Sequence, residues 1–168
     1  MRYILWCATL LFLSSCSTHF YIVRHAEKAG PATGMNTSDP ELSTEGKSRA
    51  NSLSAMVKKS RLREIFATNT IRAKSTAQPT AAANGIGITT YGTVDSIFIL
   101  MLKKTKSNTL IVGHSNTVDD IVNRLTGARH VPGDLPDTVF DRFYIVTRKG
   151  SKYRFKELGY GVSTPLLK

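Results

Sequence analysis

A run of apolar residues that ends in an arginine and a histidine places the strongest constraint on this chain. Residues 20–28 read FYIVRHAEK. Four consecutive apolar residues, aromatic or β-branched, predict a strand that is buried on both faces, as in a parallel sheet. Ligands of α/β proteins lie beyond the carboxyl ends of such strands, where Arg24 and His25 follow. Taken alone, the pair is equally consistent with a basic surface turn that ends a strand.

Strand and helix patterns alternate along the rest of the chain. Apolar runs predict further strands over 65–68, 86–91 and 109–113, and residues 142–147 and 153–158 alternate around Lys149-Gly150 as an antiparallel hairpin does. Helical spacing predicts a helix with a capping box at Ser38 and Glu41, and others ending near Asn84, Leu102 and Gly127. The segment 94–102 could also be a strand. This order predicts an α/β fold, a three-layer α/β/α sandwich with a mainly parallel sheet and a C-terminal antiparallel hairpin.

The inward faces of three helices follow from the same spacing. The residues expected to face the core are Ala50, Leu53, Met56 and Val57 in the first helix, Val94, Ile97, Phe98 and Met101 in the third, and Val118, Ile121, Val122 and Leu125 in the last.

The amino terminus is predicted to be a targeting segment. Arg2 precedes an apolar run that is short for a membrane span. The following LSSC at 13–16 resembles a bacterial lipobox, in which a signal peptidase cleaves before a cysteine whose thiol carries lipid. We therefore expect a signal peptide over 1–15, lipidation at Cys16, a tether over 16–19 and one domain over 20–168. An uncleaved hydrophobic anchor is the alternative.

Either N-terminal arrangement places the domain outside the cytoplasm. The residue after the cysteine is Ser17 rather than aspartate, which by analogy with bacterial lipoproteins favours the outer membrane. We therefore expect a lipid-anchored protein of the bacterial cell envelope that faces the periplasm. After processing, Cys16 is the sole cysteine, which excludes an internal disulfide and a zinc site built on thiolates.

A formal net charge of +11 favours acidic partners. These are phosphorylated small molecules or envelope components, anionic lipid headgroups and nucleic acid. Nucleic acid is the weakest candidate because no recognised nucleic-acid module is present and the chain is expected to be exported. Pairs such as Lys58-Lys59, Lys103-Lys104 and Arg148-Lys149 are expected to be solvated surface rather than a specific site.

Three predicted strands end at the same edge of the sheet and deliver side chains suited to phosphoryl transfer. They supply Arg24 with His25, then Arg72, and finally His114. Guanidinium groups match the oxygens of a phosphoryl group, and positive donors stabilise its transition state. A neutral imidazole is a nucleophile near neutral pH, and a second, cationic imidazole could donate a proton to a phosphoryl oxygen.

Four motifs in order resemble those of the histidine phosphatase (phosphoglycerate mutase-like) superfamily. They are VRHAE at 23–27, LSTEG at 42–46, T-x-x-x-RA-x-x-TA at 68–77 and VGHS at 112–115. The resemblance implies that His25 attacks phosphorus and becomes a phosphohistidine, while Arg24, Arg72 and His114 bind the phosphate and water then releases it. It implies no metal or cofactor, and two histidines without carboxylate ligands make a poor metal site.

The chain departs from the family at the acid that protonates the leaving group. Many relatives carry a glutamate near the end of the third strand or an aspartate after the second histidine, and here the residues are TTYGTVD at 89–95 and Ser115. Asp95 is the closest possible proton donor, although helix capping is its more common role. Glu27 is interpreted as structural and His130 as surface.

Without an obvious acid a mutase is disfavoured. The chain instead resembles the small SixA-type phosphohistidine phosphatases, or a phosphatase for easier leaving groups. Two alternatives remain open, a catalytically silent lipoprotein that keeps the anion pocket for binding and an envelope structural lipoprotein without a pocket.

Overall fold

The computed structural model describes residues 17–30 and 38–163. Their secondary structure alternates between strands and helices in the predicted order. The strands are β1 (Thr18–Arg24), β2 (Leu62–Thr68), β3 (Ile88–Tyr91), β4 (Asn108–Gly113), β5 (Arg142–Lys149) and β6 (Lys152–Gly159). The helices are α1 (Thr44–Val57), α2 (Ile71–Asn84), α3 (Ser96–Lys104) and α4 (Val118–Thr126).

The six strands form one mixed sheet in the order β3-β2-β4-β1-β5-β6. The first four are parallel, and β5 and β6 add an antiparallel pair at one side. The predicted α/β fold, its mainly parallel sheet and the C-terminal hairpin are therefore confirmed. The carboxyl ends of β1, β2 and β4 adjoin one another at what we call the carboxyl edge, and their first residues lie at the amino edge.

Two hydrophobic cores cover the two faces of the sheet. Phe20 and Ile22 of β1 pack in one core with residues of α3 and α4. Val23, next in the pleat, packs in the other core with residues of α1 and α2. A strand that contributes to both cores must be apolar on both sides, which explains the unbroken apolar run.

Several local predictions were wrong. Helix α1 begins at Thr44 and is capped by Ser43, whose hydroxyl accepts from the amide of Gly46 at 3.1 Å. The Ser38–Glu41 capping box does not form, because the chain runs on as a loop and Leu42 bridges to Lys28. The predicted tether extends too far, since β1 already begins at Thr18, and β3 begins two residues later than expected.

The inward face of α3 was also predicted wrongly, although the segment is a helix. Its buried residues are Phe98, Ile99 and Leu102. Ile97 is 79% exposed and Met101 is 40% exposed. In a segment that is apolar all round, periodicity leaves the buried side undefined, and the position of the sheet decides it. Met56 of α1 is likewise exposed, whereas the face predicted for α4 is confirmed.

The predicted signal peptide and Cys16 lie outside the described residues. Within residues 17–30 and 38–163, no helix combines the length and apolar character needed to cross a membrane.

Candidate active site

The carboxyl edge brings together the four side chains that the sequence singled out. Arg24 ends β1, His114 follows β4, and the amide of His25 donates to the carbonyl of Gly113 at 2.8 Å. The imidazole rings of His25 and His114 lie 5.2 Å apart between centroids and meet edge to face. Arg72 lies in the first turn of α2, close enough to affect the ionisation of both histidines.

The hydrogen bonding of His25 fixes its tautomer, with the lone pair on Nε2. Its Nδ1 lies 2.8 Å from the carbonyl oxygen of Ala26. Because a carbonyl only accepts, Nδ1 carries the proton and Nε2 carries the lone pair. The pKa of His25 is lowered to about 4, chiefly by burial and also by the nearby Arg24, His114 and Arg72, while the hydrogen bond to Ala26 acts in the opposite direction. The ring is therefore neutral at neutral pH.

His114 presents a second neutral ring. Its Nε2 lies 2.9 Å from the hydroxyl of Thr68 at the end of β2. Burial lowers its pKa, and the positive charges of Arg72 and Arg24 lower it further, while Asp39 acts in the opposite direction. The cationic form is therefore disfavoured before an anion enters, and a bound phosphate dianion would favour it.

The guanidinium group of Arg24 is fixed by a loop that sequence analysis did not connect with it. Nη1 donates to the carbonyl oxygens of Pro136 at 2.8 Å and Val139 at 3.2 Å. Nη2 donates to Asp137 at 3.2 Å. The Arg24 Nε–H is buried and has no hydrogen-bond partner within the described part of the chain.

Phe140 in the same loop forms an aromatic wall beside these groups. Its ring centroid lies 4.4 Å from the guanidinium carbon of Arg24 and 6.1 Å from the centroid of the His25 ring. Phe140 also lines a cavity of about 700 Å³ together with Thr138, Glu27 and residues at the start of α1. Arg24, His25, Arg72 and His114 are not among the residues that line this cavity, which adjoins the site only through Phe140 and the turn after His25.

Arg72 has a partner that sequence analysis missed. Asp39 accepts from Arg72 Nη1 at 3.0 Å and from the backbone amide of Ile71 at 2.7 Å. The carboxylate therefore holds the guanidinium of Arg72 against the start of α2. In the sequence, only the position of Asp39 in a long polar loop beside the predicted site hinted at this role.

The turn after His25 is tied to α2 and α1 by close contacts. The buried hydroxyl of Thr76 accepts from the amide of Ala26 at 2.9 Å and donates to the carbonyl of Arg72 at 2.8 Å. A Cβ on Gly46 would lie 2.1 Å from the carbonyl oxygen of Glu27. These contacts give a physical reason for threonine and glycine in two of the sequence motifs.

The remaining candidates lie outside this group. Asp95 is the N-cap of α3, where its carboxylate accepts from the amide of Phe98 at 2.8 Å. Glu27 binds the guanidinium of Arg49 through both carboxylate oxygens, at 2.6 to 2.9 Å, so it has the structural role expected of it. His130 is exposed and stacks on Phe155 of the hairpin.

A buried neutral imidazole, a second imidazole beside it and two nearby guanidinium groups at the carboxyl edge of an α/β sandwich match the groups that phosphoryl transfer requires. Residues 20–149 match the histidine phosphatase superfamily (branch 1), and the chain belongs to this family. Family membership supports phosphatase activity and a phosphorylated substrate. No curated protein matches the chain significantly.

Solved structures show the same fold. The Agrobacterium tumefaciens protein assigned as the phosphohistidine phosphatase SixA has a TM-score of 0.65 and 21% sequence identity, covering 86% of this chain and 99% of its own. A protein histidine phosphatase SixA complexed with tungstate has a TM-score of 0.62 and 16% sequence identity, and the match covers 84% of this chain and 97% of that one. A mycobacterial glucosyl-3-phosphoglycerate phosphatase has a TM-score of 0.58 and 12% sequence identity, and the match covers 88% of this chain and 100% of that one.

Proposed function

We propose that this protein hydrolyses phosphomonoesters or phosphohistidine through a phosphohistidine intermediate on His25. The observation that carries the proposal is the Nδ1 hydrogen bond to the carbonyl of Ala26, which places the proton on Nδ1 and leaves the lone pair on Nε2 to attack phosphorus. In the first step Nε2 forms a bond to phosphorus as the bond to the leaving group breaks. In the second step water attacks the phosphorus of phosphohistidine, and phosphate and neutral His25 are released.

Arg24, Arg72 and His114 would hold the phosphoryl oxygens during both steps. Arg24 would contribute its positive charge, which lies close enough to His25 to lower the pKa of that ring. Arg72 would supply hydrogen-bond donors from the start of α2, where Asp39 holds its guanidinium through Nη1. Positive donors that are already fixed before the reaction stabilise the charge on the transferring group without reorganisation.

The preferred substrates would have leaving groups that depart without strong acid catalysis. Asp95, the proton donor proposed from the sequence, is engaged in capping α3. Phosphohistidine and aryl phosphates meet this requirement better than alkyl phosphates, because their leaving groups are weaker bases. A SixA structure of the same fold is complexed with tungstate, an oxyanion like phosphate. The preference for such leaving groups, together with the predicted export, favours a phosphorylated envelope component or a scavenged phosphoester as the substrate.

Phosphoenzyme trapping tests the proposal. The wild-type chain, incubated with a radioactive aryl phosphate and quenched in alkali, should carry an acid-labile label. His25→Ala should carry none, whereas His130→Ala, which removes a histidine outside the site, should label like the wild type. Vanadate should raise the thermal midpoint of the wild type.

Absence of label in the wild type, combined with stabilisation by vanadate, would instead favour the silent anion-binding lipoprotein. Absence of both would favour a structural lipoprotein without a pocket.

A further inference from the structure

The charges of this molecule are separated between the two edges of its sheet. The chain has twelve Asp and Glu residues, and all lie within the described part. Glu64, near the start of β2, is the one that lies close to the amino edge, where its carboxylate accepts from the hydroxyls of Thr105 and Thr109. The others lie on the loops and helix starts of the carboxyl edge or on nearby parts of β6.

The connections at the amino edge are basic instead. They link α1 to β2, α3 to β4 and β5 to β6. These connections are separated in sequence, but the strands that they reach lie in one sheet, with β1 between β4 and β5. The exposed cations on or beside these connections are Lys58, Lys59, Arg61, Arg63, Lys103, Lys104, Lys106, Lys149 and Lys152. The scattered lysine pairs of the sequence therefore form one surface, which we call the basic edge.

Arg148 joins three parts of this surface. It donates to the backbone carbonyls of Lys103 and Thr105 and, at 3.1 Å, to the hydroxyl of Thr18 at the start of β1. The end of β5, the end of α3 and the beginning of the described chain are thus in direct contact.

Helix dipoles account for only part of the basic edge. Lys103 and Lys104 end α3, and Lys58 follows α1, where cations offset the negative helix ends. Arg63 and Lys152 lie in strands and have no such role. Among the described residues, no cation of the basic edge takes part in an ion pair. The ion pairs are formed by Arg24, Arg49, Arg72 and Arg142, none of which belongs to the basic edge.

The shape of the basic edge suits a broad surface rather than a small anion. From β2 to β6 the sheet spans four strand spacings, which is about 19 Å. A cavity of about 500 Å³ at this edge is lined by four cations, Lys103, Lys104, Lys106 and Arg148. The cations of the connections around β2 and β6 lie outside that lining, so the positive charge extends well beyond a site for one phosphate. A planar array of phosphates is the matching partner.

We infer that the basic edge docks on an anionic phospholipid surface. Such membranes attract clustered lysines with about 1 kcal/mol each. The lipid anchor proposed at Cys16 would leave the fold beside Thr18, at this same edge, so anchor and docking surface would act together. The seven residues of β1 then hold His25 about 23 Å from the lipid, facing away from it. This inference does not depend on phosphatase activity.

Vesicle binding tests the inference. Binding of the full-length chain is measured on phosphatidylcholine vesicles with and without phosphatidylglycerol, and the ratio of the two affinities removes the contribution of the apolar amino terminus. The wild type should prefer anionic vesicles, and high salt should abolish that preference. Lys104→Ala combined with Lys106→Ala should lower the ratio roughly thirtyfold.

The matched control removes the same charge from the other edge. Lys28→Ala combined with Lys47→Ala, near the end of β1 and in the first turn of α1, should change the ratio less than about threefold. Equal losses in the two double variants would show an effect of net charge alone and overturn the inference. A wild type without preference for anionic vesicles, or one that binds RNA more tightly than those vesicles at equal phosphate concentration, would overturn it as well.

Discussion

The hydroxyl of Thr76 links α2 to the turn that carries His25, and its removal should loosen that turn. The side chain is fully buried and forms two hydrogen bonds, with the amide of Ala26 at 2.9 Å and the carbonyl of Arg72 at 2.8 Å. Thr76→Val nearly preserves the volume and leaves the buried amide of Ala26 without its acceptor. An unsatisfied buried donor costs about 1–3 kcal/mol, so the free energy of unfolding should fall by that amount.

Thr80, one turn further along the same helix, provides a matched control. It is equally buried, but its hydroxyl has no hydrogen-bond partner within the described residues. Thr80→Val makes the same chemical change in the same helix and removes an unsatisfied group. Its free energy of unfolding should equal that of the wild type or rise by about 1 kcal/mol.

Urea denaturation at pH 7, with kcat/KM for an aryl phosphate measured in parallel, distinguishes the two variants. Thr76→Val should lose stability and also kcat, because a displaced Ala26 changes the acceptor that orients the His25 ring. Equal losses of stability in the two variants would refute the reasoning, since burial of a threonine and not its hydrogen bonds would then matter. Loss of stability in Thr76→Val with unchanged kcat would show that the hydroxyl supports the fold without positioning His25.

Three further predictions concern the same edge. The pKa of His25 is about 4 in the folded chain and about 6.5 when unfolded, so the unfolded state binds more protons between pH 4 and 6.5. The free energy of unfolding should therefore fall as pH is lowered from 6.5 to 4. In urea titrations, His25→Gln should flatten that pH dependence. Asp39→Asn frees Arg72 and removes a negative charge, so the inhibition constant of inorganic phosphate should fall roughly threefold at low salt, with stability changed by less than about 1 kcal/mol. Gly46→Ala must displace the carbonyl of Glu27. Its free energy of unfolding should fall by about 1–3 kcal/mol, and its thermal midpoint and kcat should both drop.

The order of elements and the strand ends could be read from the sequence because both depend on neighbouring residues. An apolar run with β-branched residues favours a strand wherever it lies, and Thr70 and Gly85 mark the ends of α2 by their local hydrogen bonding and backbone conformation. Once the strands are parallel, their carboxyl ends share one edge. The meeting of His25 and His114 was therefore predictable, although they lie far apart along the chain.

Local patterns failed where two conformations fit equally well. Ser38 and Ser43 are both acceptable helix caps, and the bridge between Lys28 and Leu42 decides between them. The exposure of Ile97 depends on the side of α3 that meets the sheet. The bridge and the contact with the sheet both involve residues outside the helix concerned. The residues at each helix end therefore carry no pattern that would predict them.

By itself, the sequence determined the alternation of strands and helices and the chemistry placed at the strand ends, because backbone preference and side-chain type are properties of short segments. Tertiary structure alone decided that Asp39 pairs with Arg72, that residues 136–140 enclose Arg24, and that separate lysine pairs form one basic edge. Charge interactions act through space, and the spatial neighbours of a charged group are set only when the chain has folded.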